Sequence, residues 1–189
     1  MMDLRAVKRE VESLINIEKA LEKLEECWLK PSSSFLQNLT EKEKEELDRK
    51  LAGVGRSLKE IKNGQRINEK LKHYARYLIE LKLTTLNGDK DKSVLITNRL
   101  LNDEFLNFQR TIAEINLFNG QVNDLKESYQ QVNEWLQNKL SLEESLELMD
   151  KPHKLHLQMV LKTAEKQKVL IKKLGEHLVE LTRQTRIKR

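Results

Sequence analysis

His153 and His156 stand three residues apart, a spacing that puts two imidazoles on one helix face and invites a metal ion. A closed zinc site takes four ligands. The nearest carboxylate, Asp150, fits better as the cap of the helix that follows, and no Glu or Asp lies at ligand spacing in that helix's first turns. Cys27 is the single cysteine, which excludes both an internal disulfide and cysteine-rich zinc sites. His73 and His177 are isolated. The histidines therefore read as exposed or interfacial, and no metal is expected. Di-iron carboxylate bundles need Glu-x-x-His on two helices, and the sequence contains no such motif.

Other catalytic signatures are equally thin. Gly53-Val54-Gly55 lacks the preceding strand and the Lys-Ser or Lys-Thr of a phosphate loop. Arg66 and His73, seven residues apart, resemble the Arg-and-His pair of some helical ribonucleases, but without its usual polar neighbour. The run Glu41-Lys42-Glu43-Lys44-Glu45-Glu46 reads as a solvated face suited to the positive end of a helix. No catalytic residue, cofactor or small-molecule substrate is expected, and the chain reads as a non-enzyme.

One charged feature has functional content. Lys151, Lys162, Lys166 and Lys173 share one face of a helix, and Arg183, Arg186, Lys188 and Arg189 extend the positive charge. Such a surface suits a phosphate backbone or an anionic membrane. No aromatic residue follows Trp135, so the segment offers no base-stacking platform and nucleic-acid binding would be electrostatic. The competing reading pairs these lysines with the acidic third helix, or leaves them in solvent.

The elements that carry these residues are helices. Only 6 of 189 residues are Gly and 2 are Pro, while 34% are charged. That balance suits long exposed helices with one apolar stripe each. The first predicted helix covers about residues 3–29, with Leu4, Val7, Val11, Leu14, Ile17, Leu21, Leu24 and Trp28 spaced by threes and fours. Pro31 and the Ser32–Ser34 run end it. Phe35, Leu36 and Leu39 belong to a loop folding back on the bundle. Thr40-Glu41-Lys42-Glu43 has the form of a capping box and opens a second helix over 41–86. Gly53 and Gly55 weaken that helix, and Asn63-Gly64 predicts a kink or break near 63–65, with Gly64 in the left-handed conformation.

Asn87 to Ser93 is the clearest turn. A third helix follows over about 94–139, with a heptad seam of Val94, Asn98, Leu101, Phe105, Phe108, Ile112 and Ile115. The register then slips, and Phe118, Val122, Leu125, Tyr129, Val132 and Leu136 continue the stripe. Asn98 and Asn119 near the seam are candidates for fixing register. A short helix over 142–149 and a last one over 152–185 complete the chain, with Asp150 and Pro152 at the start of the last.

Two 46-residue segments joined by a short turn predict an antiparallel hairpin. The first and last helices complete a three- or four-helix cross-section. The expected architecture is thus a single all-α domain over 1–189, an elongated antiparallel bundle or coiled-coil hairpin. Charge alternates along it: residues 1–50 carry a net −2, 51–100 +6, 101–150 −7 and 151–189 +8. This predicts that the second and last segments both pack against the acidic third. The start of the sequence lacks the apolar stretch of a signal peptide, and no segment reaches the roughly 18 apolar residues of a membrane span. An intracellular, cytoplasmic protein is expected. The leading functional expectation is a scaffold or assembly subunit that binds a protein partner or itself along its helices. The alternative is a basic module binding nucleic acid or anionic membrane through 151–189, and a metal enzyme ranks third.

Overall fold

The computed structural model describes residues 3–26, 37–86, 88, 91, 105–139 and 151–187. The fold is all-α: α1 Leu4–Glu12, α2 Ile17–Glu26, α3 Glu41–Glu60, α4 Gly64–Leu86, α5 Phe105–Lys139 and α6 Lys151–Ile187. No strand occurs among the described residues, and none of their helices is long and apolar enough to cross a membrane. The predicted helical segments 94–104 and 142–149 lie outside the described residues. So do Cys27, Trp28, Phe35, Leu36, Val94, Asn98, Leu101 and Asp150, and the side chains of Phe105 and His153.

The chain forms two compact units. One comprises Met1–Ile15, Asn63–Leu117 and Thr163–Arg189. Its core joins Leu4, Val7 and Val11 of α1, Ile67, Leu71 and Leu81 of α4, Ile115 of α5, and Leu170 and Leu174 of α6, all buried. Here α4 and α5 run antiparallel: Lys70 Nζ reaches Glu114 Oε1 at 3.0 Å, and one turn on, the Tyr74 and Thr111 hydroxyls are 3.2 Å apart. Tyr74 meets the Phe108 ring edge-on with centroids 5.4 Å apart. The far edge of Phe108 lies over Gly175, where a Cβ would come within 3.2 Å of the ring.

The other unit comprises Asn16–Lys62 and Phe118–Lys162. Ile17 and Leu24 of α2, Leu47 and Val54 of α3, Phe118, Val122, Leu125 and Val132 of α5, and Val160 of α6 fill its core. Antiparallel pairing of α3 and α5 is marked by Lys139 Nζ on Glu43 Oε1 at 3.1 Å and by the Ser57 and Ser128 hydroxyls at 3.1 Å. Exposed ion pairs contribute about 0–1 kcal/mol each, whereas burying one large apolar side chain contributes about 1.5–3 kcal/mol. Apolar burial therefore stabilises both units and the polar pairs select their registers.

The capping box at Thr40 is present in full: Glu43 N–H donates to Thr40 Oγ1 at 3.2 Å and Thr40 N–H to Glu43 Oε2 at 3.1 Å. Two expectations need correction. The helix predicted over 3–29 is interrupted at residues 13–16. Ser13 turns its hydroxyl onto the Glu10 carbonyl at 2.7 Å, and Asn16 caps α2 by accepting from the Lys19 N–H at 3.1 Å. The break predicted near 63–65 is present, at residues 61–63, but its left-handed residue is not the one expected. Asn63, not Gly64, takes the left-handed conformation, with φ 67°, and Gly64 opens α4. Asparagine tolerates this region better than other side chains. Its carbonyl accepts the first bond of α4, from the Ile67 N–H at 2.9 Å.

The seam of α5 also differs from expectation. Thr111 is fully buried and Ile112 is 37% exposed. The inward positions are Phe108, Thr111, Ile115, Phe118, Val122, Leu125, Tyr129, Val132 and Leu136, alternating steps of three and four without a slip. A hydroxyl can occupy the seam because it is satisfied there, bonding the Asn107 carbonyl at 2.8 Å as well as facing Tyr74.

Candidate interaction surface

The basic segment resolves into residues with different fates. Lys162 and Lys166 are exposed on α6 and make no ion pair among the described residues. Lys173 turns instead to Glu10 of α1, at 3.8 Å. Arg183 is exposed. The side chains of Lys151 and Arg186, together with Lys188 and Arg189, lie outside the described residues.

Two apolar side chains join the free lysines. Leu155 is 57% and Val169 51% exposed. At 100° per residue, Leu155, Lys162, Lys166 and Val169 fall within an arc of roughly 60° on α6. This face is amphipathic in the opposite sense to the buried one: cations interleaved with uncovered hydrocarbon. On α5, Leu106 and Leu117 are 56% and 62% exposed, and eleven residues apart they also share a face.

A second feature is a groove of about 410 Å³ between α2 and α3. Its walls carry Glu18, Glu22 and Glu25 from α2, spaced so that all three carboxylates share one side of that helix, and Lys59 from α3. Its apolar floor is made by Leu21, Leu58 and Ile61. Gly55 lines it as well, and nothing lies within 4 Å of where its Cβ would be.

Among the described residues no group of three or more His, Cys, Asp or Glu side chains is placed to hold a metal ion. His156 is half-buried, and its Nδ1 has no hydrogen-bond partner among them. Arg66 and His73 are both exposed on α4, and the His73 ring packs edge-on to Tyr77 with centroids 4.4 Å apart. The Glu43 carboxyl, held below its ordinary pKa by the Thr40 N–H and then by Lys139, serves the cap of α3.

The signal for the groove was present as Glu-x-x-x-Glu-x-x-Glu on α2, but the segment 1–50 is nearly neutral overall and hides it. Asn68 and Gln167, both buried, were missed because polar residues at inward positions interrupt an apolar pattern. No protein-family model, curated protein or solved structure matches the chain.

Proposed function

We propose that this protein is a non-enzymatic interaction protein, a scaffold or assembly subunit that works through its helical surfaces. The observation that carries this reading is that large apolar side chains are left more than half exposed in pairs sharing one helix face: Leu106 and Leu117 on α5, and Leu155 and Val169 on α6. Single exposed leucines are ordinary, but pairs sharing one helix face are what a partner helix covers. Affinity capture of the full chain, followed by light scattering, tests it. Self-association or recovery of a stoichiometric partner is expected, and a strict monomer that recovers none refutes the reading.

One observation favours a second reading. Lys162 and Lys166 lie between Leu155 and Val169 on the same face, a pattern that suits the interface of an anionic membrane better than a phosphate backbone. Nucleic-acid binding through 151–189 needs only the charge and makes no use of these apolar groups. Co-sedimentation with phosphatidylserine vesicles at rising salt separates the membrane reading from assembly. Binding that survives Lys162→Glu with Lys166→Glu and Lys173→Glu excludes this surface.

A further inference from the structure

The groove between α2 and α3 and the outer face of α6 have complementary charge and matching apolar content. We propose that a second copy of this chain seats the α6 face carrying Leu155, Lys162, Lys166 and Val169 in that groove. The inference rests on the assembly reading above and names the contact that would carry it.

Charge is the first argument. Glu18, Glu22 and Glu25 make no ion pair among the described residues, and Lys59 is the cation that shares their groove. Like charges four residues apart on a helix repel. Glu18 and Glu22 stand in that relation, and so do Lys162 and Lys166. Bringing the two pairs together relieves both repulsions at once. A partner with carboxylates on its docking face would be rejected by the same groove.

Pitch and shape are the second. Glu18 to Glu25 and Lys162 to Val169 each cover eight residues, roughly 10 Å of helix from first to last. Cations and an apolar side chain on α6 can therefore meet carboxylates and floor over one common length. Leu21 and Leu58 are half-buried, so the floor offers apolar surface to Leu155 or Val169. The open space at Gly55 lets an incoming helix approach the α3 backbone closely. Groove and face are different patches of the same chain, so the contact is heterologous. It either closes as a two-fold exchange or extends from copy to copy.

Sedimentation of the full chain against concentration and salt tests the contact. Wild-type mass should rise with concentration and fall as salt increases. Glu22→Lys with Glu25→Lys, and separately Lys162→Glu with Lys166→Glu, should each weaken association about tenfold or more. An equimolar mixture of the two variants should recover it, because one reversed groove then meets one reversed face. Gly55→Leu fills the groove without altering charge and should also weaken association. Circular dichroism monitors folding, and this last variant keeps the test intact should a charge reversal misfold. Association indifferent to all three changes overturns this contact and leaves the assembly reading standing. A wild-type chain that stays monomeric overturns the contact, and failure of the mixture to recover does the same. If reversal on α6 abolishes binding to phosphatidylserine vesicles but leaves self-association unchanged, the face belongs to a membrane and the proposal is wrong.

Discussion

Replacing Asn68 with alanine should destabilise the first unit by about 2–4 kcal/mol, the sum of two lost hydrogen bonds and the groups they strand. Asn68 is 1% exposed and joins three elements. Its Nδ2 donates to the Ile15 carbonyl at 3.0 Å, a group left without a helical partner by the break at 13–16. Its Oδ1 accepts from Gln167 Nε2 at 2.6 Å, and the same amide donates to the Gly64 carbonyl at 3.2 Å. Two lost bonds contribute about 2 kcal/mol together, and stranding the Ile15 carbonyl and one Gln167 donor adds about 1–3 kcal/mol, less whatever water recovers. Urea unfolding of Asn68→Ala, Gln167→Ala and the double variant gives the pairwise term, expected at about 1–2 kcal/mol. Gln167→Leu should cost less than Gln167→Ala, because Gln167 Oε1 is buried without a partner and leucine removes it while filling most of the space. A loss below about 0.5 kcal/mol for Asn68→Ala, with strict additivity in the cycle, would refute the claim that this cluster braces the first break.

Other single residues carry expectations of their own. Asn63→Ala should cost about 1 kcal/mol and Asn63→Gly almost nothing, since the backbone there is left-handed; equal midpoints in thermal unfolding would contradict this. Gly120→Ala should raise stability by about 0.5–1 kcal/mol, because the site is helical, exposed and open around its Cβ, and an unchanged midpoint would count against it. Glu43 has a folded pKa below its usual 4.5. Its contribution is therefore complete above pH 4.5 and fades as pH falls through the lowered value. Glu43→Gln should flatten the acid limb of a stability–pH profile, and an unaltered limb would show that the cap carries no pH dependence.

The fold was largely legible because apolar residues recur by threes and fours along every described helix. Periodicity could not show where a helix breaks. The apolar spacing continues from Val11 through Leu14 and Ile17, so the stripe stays in phase across a gap in the hydrogen bonding. Only Ser13 and Asn16, read as capping residues, hint at the interruption. At Thr111 the apolar pattern chose the wrong neighbour, since Ile112 is the greasier residue and Thr111 the satisfied one. The basic face was visible as lysines, but its apolar members became apparent only once burial was known. The groove was less legible still. It depends on α2 and α3 lying side by side with Gly55 of α3 lining the space, a tertiary relation with no local pattern.

Light scattering on the purified full chain over a wide concentration range bears most directly on whether these helices exist to be covered. A mass that climbs above the 22.3 kDa monomer as concentration rises is the expected result. A constant 22.3 kDa throughout, with no partner retained from a native extract, would contradict it.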